Sequence, residues 1–163
     1  MSDRLSAAMR SSMIDYSRRW RESFGRDAEY AIAVEALRVS RVVTRGIEKV
    51  LRRHDLTMAQ WTILTIVSFT DDQRMPLGKL AEIIDVHPST VSSAVDKLEH
   101  GGWMTRELPD RRTVLAALSP SGIARLGPVE QELIAANFGL APIDDPKDVD
   151  AIHRCFGLLR PAD

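Results

Sequence analysis

The sequence predicts a mainly α-helical chain with one small β-hairpin. Three observations carry that expectation. Apolar residues recur at spacings of three and four over most of the 163 residues. Prolines at 76, 88, 120 and 146 stand where helices start, a position that tolerates the missing N–H. Only two segments, 103–107 and 113–118, have strand character, and they are joined by the short charged tip Leu108-Pro109-Asp110-Arg111-Arg112.

Residues 4–24 read as an amphipathic helix. Leu5, Met9, Met13, Tyr16, Trp20 and Phe24 fall on one face, Arg10, Arg18, Arg19 and Arg21 lie mostly elsewhere, and Gly25 stops it. This bulky face has no second half within its own segment, so it must dock. Its target is the chain's own dimer core, or it serves as an arm on a membrane surface or on DNA. A second helix spans 29–53, with Ala33, Leu37, Ser40, Val43, Ile47, Val50 and Leu51 as its stripe. Its basic residues are largely a solvated face, favoured near a helix C-terminus.

Thr57 offers an N-cap for a helix over 58–69 with Trp61, Leu64, Ile66 and Val67 as apolar positions. Asp71-Asp72-Gln73 is a turn, and a helix over 77–84 buries Leu77, Leu80, Ala81 and Ile84. Asp85-Val86-His87 turns the chain into a helix over 88–100, which Gly101-Gly102 ends. After the hairpin, Ser119 caps a helix that reaches about Phe138 with a bend at Gly127-Pro128. Residues 139–143 link to a final helix, capped by Asp144 or Asp145, with Val149, Ile152, Phe156 and Leu159 as its stripe. Two short helices joined by a tight turn and followed by a hairpin form a winged helix-turn-helix. The expected organisation is N-terminal dimerisation helices over 1–54, a winged lobe over 55–118 and C-terminal dimerisation helices over 119–163.

Composition narrows the function. Hydrophobic residues make up 44%, which argues against disorder. The net charge of −1 excludes a protein that coats nucleic acid, so any such footprint must be local. Residues 1–54 are net +5 and residues 55–163 net −6. One cysteine, Cys155, suits a reducing cytosol. The sequence has no apolar run near the roughly 20 residues of a membrane span. Its N-terminus lacks the apolar core of a secretory signal, and Asp3, Asp15 and Glu22 oppose a transit peptide, so the cytoplasm is expected.

The chemistry concentrates on the helix 88–100. Val91, Ala94, Val95 and Leu98 fall together and face a core, while Ser89, Ser93, Asp96 and His100 centre on the opposite face with Thr90, Ser92 and Lys97 beside them. Small hydroxyls are weak helix formers. They suit close approach to a surface that needs many short donors, and duplex DNA is one: hydroxyls bond phosphate oxygens and base edges. A merely solvated Ser/Thr face is the plainer alternative. Arg111 and Arg112 on the hairpin tip can straddle a phosphate or enter the minor groove, with Asp110 orienting an arginine through a paired hydrogen bond. An ordinary polar turn is the plainer alternative there.

Leu80-Ala81-Glu82, Val86 to Ser92, Val95-Asp96-Lys97-Leu98-Glu99, Gly102-Trp103, Asp110-Arg111-Arg112 and Leu118 to Gly122 together resemble the multiple-antibiotic-resistance regulator (MarR) family, as does Leu56 to Trp61 upstream. The resemblance implies a homodimer whose terminal helices interlock and whose two winged lobes straddle a pseudo-palindromic duplex. Carried over by position, Pro88, Ser89, Thr90 and Ser92 lie on the recognition helix. Arg111 is the minor-groove arginine with Asp110 bracing it, and Arg106 and Arg112 contact the backbone. Ser93 and Lys97 join this set from their place on the exposed face. The chain departs from the family in a short 106–110 stretch and in the extra N-terminal helix. The family also implies a repressor released by a small effector, here an aromatic or hydrophobic one, in a pocket near Trp20 and Trp61. No cofactor is expected.

Cys155 reads as packing in the last helix, and His54, His87, His100 and His153 as cap, surface or core residues, since none has a partner at metal-ligand spacing. Two other functions compete. Residues 87–112 are net neutral, which would suit a winged helix turned protein-interaction module. An enzyme lacks support, because no nucleophile–base pair, phosphate loop or metal motif is present.

Overall fold

The computed structural model describes residues 16, 18–25, 28–110, 113–143 and 145–159. The chain divides into two units, residues 1–44 and 45–163. In the first, residues 18–24 form helix α1, and Gly25 ends it at φ +74 with its N–H on the Arg21 carbonyl at 2.8 Å. Residues 4–15 and 17 of the expected 4–24 helix lie outside the described residues. Helix α2, Ala28–Leu51, begins here. Trp20 stacks on Tyr30 with ring centroids 4.4 Å apart and planes 7° off parallel, and Phe24 tilts against the same indole. Ile32, Leu37, Val39 and Val42 of α2 stay exposed. Only the C-terminal end of the predicted stripe, Ile47, Val50 and Leu51, is buried.

In the second unit a short 3-10 turn, Arg52–His54, leads to helix α3, Met58–Ser68. A capping box starts α3. Thr57 Oγ1 accepts from the Gln60 N–H, and Gln60 Oε1 accepts from the Thr57 N–H at 2.8 Å. Two first-turn donors are thereby satisfied. The buried face of α3 is Gln60, Ile63, Leu64 and Val67, so Ile63 takes a core place that the sequence reading assigned to Trp61 and Ile66.

Strand β1, Arg74–Pro76, follows the turn, and helix α4, Leu77–Ile84, grows directly out of it. Helix α5, Pro88–His100, has the bounds the sequence predicts. Strands β2, Met104–Glu107, and β3, Leu115–Leu118, form the hairpin. The sheet has three antiparallel strands in the order β1-β3-β2, rather than the two expected. Pro76 is tolerated because β1 is an edge strand.

Between α5 and β2 the two glycines differ. Gly101 is ordinary right-handed backbone, and Gly102 alone takes the left-handed conformation, φ +71. Ser119 then caps helix α6, Pro120–Ala135, accepting from the Gly122 N–H at 2.8 Å while its hydroxyl donates to the Gly102 carbonyl at 2.7 Å. Gly122 is required: a Cβ there would strike the Trp103 carbonyl. Arg125 covers the buried Trp103 indole at 3.8 Å, a cation–π contact. Helix α6 runs through Pro128 and stops at Ala135, before the expected Phe138, which sits in a following 3-10 turn. Helix α7, Pro146–Leu158, is capped by Asp145.

The core of this unit is apolar and tight. Leu64, Val67, Leu80, Val91, Val95, Leu98, Val129 and Leu133 are buried from α3, α4, α5 and α6. Helix α7 buries nothing: its whole predicted stripe is exposed, Cys155 with it. Among the described residues Cys155 therefore lacks the packing expected for it. Among the described residues no helix is long and apolar enough to cross a membrane.

Candidate functional site

Helix α5 is the centre of the site. Val91, Val95 and Leu98 anchor it in the core, which fixes the direction of every other side chain on it. Pro88, Ser89, Thr90, Ser93 and Lys97 are exposed as predicted. His87 caps the helix: its Nδ1 accepts from the Ser89 N–H and lies 2.7 Å from Ser89 Oγ. His87 thus orients the first hydroxyl of the exposed face.

That face is one wall of a cleft of about 440 Å³ whose other wall is the start of α3, with Thr57 and Ala59 opposite Ser89, Thr90, Ser93 and Lys97. The first-turn amides of a helix have no partner inside it, and its dipole is positive there. The cleft therefore combines hydroxyls, an ammonium group and a positive helix end, a set suited to an anion. The sequence marks Thr57 as a cap and holds both Thr57 and Ala59 within the Leu56–Trp61 resemblance, but it places neither of them beside α5. The capping box was the available signal, but nothing local places a helix start against another helix.

The charged residues sort into two clusters. Arg106 turns from β2 onto α5. Its Nη2 donates to the Ser92 carbonyl at 3.0 Å and to Ser92 Oγ at 3.3 Å, its Nη1 pairs with Asp96, and its backbone N–H donates to Glu99 Oε1 at 3.2 Å. On the other side, Arg74 of β1 donates to Asp72 at 2.8 Å and reaches Glu107 of β2 at 3.3 Å across the small residue Ala117 of β3. The Arg74 hydrogen bond holds the Asp72 carboxyl below the ordinary aspartate range, and Asp72, followed by Glu107, raises Arg74. Asp96, Glu99 and Glu107, three of the four acids that make 87–112 net neutral, are engaged with arginines inside this unit.

At the wing tip, both Asp110 oxygens accept from Thr113, Oδ1 from its N–H at 2.7 Å and Oδ2 from its hydroxyl at 2.9 Å. Asp110 thereby closes the loop between β2 and β3. Arg111 and Arg112 lie outside the described residues. Ser92 is half-buried under Arg106 rather than open like Ser89 and Ser93.

The two tryptophans of the expected effector pocket belong to different units. Trp20 stacks on Tyr30. Trp61 Nε1 and, one turn on, Thr65 Oγ1 are buried without a hydrogen-bond partner among the described residues. Of the other histidines, His54 Nε2 lies 3.2 Å from Glu132 and His100 Nδ1 lies 2.6 Å from the Asp96 carbonyl. Among the described residues no group of three or more His, Cys, Asp or Glu could hold a metal ion.

Residues 56–114 match the model of the MarR family. The HTH-type transcriptional regulator PecS of Dickeya dadantii (strain 3937) is 29% identical over 124 residues, covering 72% of this chain and 74% of that protein. AbsC, a MarR family transcriptional regulator from Streptomyces coelicolor, superimposes with a TM-score of 0.73 at 25% identity, over 82% of this chain and 93% of its own. A mutant MarR from E. coli complexed with operator DNA superimposes with a TM-score of 0.70 at 19% identity, over 87% and 98%. Motif, relative and fold agree: over residues 56–114 and in its fold, the chain is similar to the transcriptional regulators of the MarR family.

Proposed function

We propose that the chain is a sequence-specific transcriptional regulator that binds duplex DNA as a homodimer, with α5 in the major groove. One observation carries the reading. The exposed face of α5 offers Ser89, Thr90, Ser93 and Lys97 beside the positive start of α3, while the neighbouring carboxylates are already engaged by Arg106 and Arg74. The face that meets DNA is then cationic and hydroxyl-rich although its segment is net neutral, which removes the main support for a protein-interaction module. The E. coli MarR that shares this fold is complexed with operator DNA, which supports the DNA-binding reading.

In this reading residues 55–118 are the DNA-binding lobe, and the helices of 1–54 and 119–163 join two copies across the exposed faces of α1, α2 and α7. Arg111 enters the minor groove, braced by Asp110, and Arg112 contacts the backbone. Two lobes related by a two-fold axis read a pseudo-palindrome. The protein represses in the cytoplasm and is released by a small aromatic or hydrophobic effector. Trp61 supports that last step, because a buried N–H without a partner favours a ligand that accepts from it.

The experiment is a salt titration. Full-length protein is used to select duplexes from a random-sequence pool, and their binding is followed by fluorescence anisotropy. Affinity should fall at least about a hundredfold between 50 and 200 mM salt, as expected for several released counterions. Salt-independent binding, or no selected duplex, overturns the reading.

A further inference from the structure

We propose that Arg106 is a positioning residue for DNA recognition: it locks wing strand β2 to helix α5, so that wing and helix meet the duplex as one body. The proposal rests on the DNA-binding reading above. It replaces the backbone contact that the family resemblance assigns to Arg106.

The geometry is that of a clamp. Ser92, Asp96 and Glu99 are spaced four and three apart, so they form one ridge along α5. Arg106 lies over that ridge and reaches all three, through two guanidinium nitrogens and its own backbone N–H. Its side chain is only 26% exposed, and Nε is buried 4.0 Å from Glu99. The β3 residue paired with Arg106 is the fully buried Ala116. A planar guanidinium fork held at several points fixes an angle as well as a distance, which a single ammonium cannot do.

Two consequences follow for binding. The clamp ends at Ser92, one turn from Ser89, so it holds the same half of α5 that carries the open hydroxyls. It also pairs with Asp96 and holds Glu99 through its backbone N–H, offsetting one of the two negative charges beside the α5 face. Donors turned inward are not available to phosphate, so Arg106 acts through α5 and β2 rather than on DNA.

The test compares a duplex selected by the wild-type protein with a mixed-sequence duplex, across a range of salt. Arg106→Gln should lower the preference for the selected duplex by about tenfold or more, and the slope of log affinity against log salt should change by less than about half a unit, since no phosphate contact is lost. Arg106→Lys should restore part of the preference. Asp96→Asn removes a negative charge near DNA, so a plain surface role predicts tighter binding. The clamp predicts the opposite sign, a loss of preference of about threefold or more.

The proposal is overturned if Arg106→Gln lowers the salt slope by about one, the mark of a phosphate contact. It is equally overturned if Asp96→Asn tightens binding or if the variants discriminate as the wild type does. Should Arg106→Gln fail to fold in a thermal melt, the sign of Asp96→Asn decides alone. A wild type that selects no duplex overturns the DNA-binding reading, and the clamp with it.

Discussion

Helices α5 and α7 are each thirteen residues long, and each carries an apolar stripe at helical spacing. In one chain they behave oppositely. Val91, Val95 and Leu98 of α5 are essentially inaccessible to solvent, locked between α3, α4 and β2. Val149, Ile152 and Phe156 of α7 remain between 37% and 48% exposed. The comparison teaches that periodicity states that a face will be buried, not against which chain. Burial of α5 uses partners that the same chain supplies within 60 residues. The face of α7, like Tyr16, Phe24 and Leu37 at the other end of the chain, stays exposed among the described residues, and in the proposed function a second copy covers it.

The sharpest way to break this contrast is to truncate one residue from each stripe. Leu98→Ala removes a fully buried side chain. It should cost about 2–5 kcal/mol of stability, read by denaturant unfolding and independent of protein concentration. A cost below about 1 kcal/mol, or one that varies with concentration, would show that α5 is not closed within its own chain. Phe156→Ala should do the reverse. It should barely change the unfolding of the lobe and should raise the dimer dissociation constant at least about tenfold, because a two-fold interface loses the ring twice. Sedimentation equilibrium reads it, and an unchanged constant removes α7 from the interface.

The smallest effect belongs to the ion pairs. Arg74 and Asp72 are about half exposed, where such pairs contribute little and are screened by salt. The sign can still be worked out. Asp72 has a lowered folded pKa, so its contribution is present above the ordinary aspartate range and is lost as the pH falls through the folded value. The small stability gap between the wild type and Asp72→Asn at pH 7 should close on acidification below about pH 4, as read by denaturant midpoints. A gap that widens with acid would break the assignment. Against Leu98, this effect shows that the lobe is held by its apolar core.

Much of the candidate site is legible in the amino-acid sequence. The hydroxyl face of α5 follows from the spacing of Val91, Val95 and Leu98, since burying those three points Ser89, Thr90, Ser93 and Lys97 outward. The direction of Arg106 was not legible. An arginine on a wing strand beside a recognition helix can point at DNA or at that helix, and the choice depends on carboxylates seven and ten residues away in sequence. The α3 wall of the cleft was hidden for the same reason: Thr57 and Ser89 are neighbours only in the fold.

The amino-acid sequence by itself determined what a few neighbouring residues can decide. The bounds of α5, the caps at Thr57, Ser119 and Asp145, and the left-handed exit at Gly102 all arise from interactions within about one helical turn. Tertiary structure alone decided what needs distant segments to meet. Strand β1 exists because Arg74 to Pro76 finds β3 some forty residues on; three residues ending in proline carry no strand signal of their own. The pairing of Asp96 and Glu99 with Arg106, and of Glu107 with Arg74, is decided in the same way. Those pairings turn a neutral stretch of sequence into a lobe whose charges point where they act.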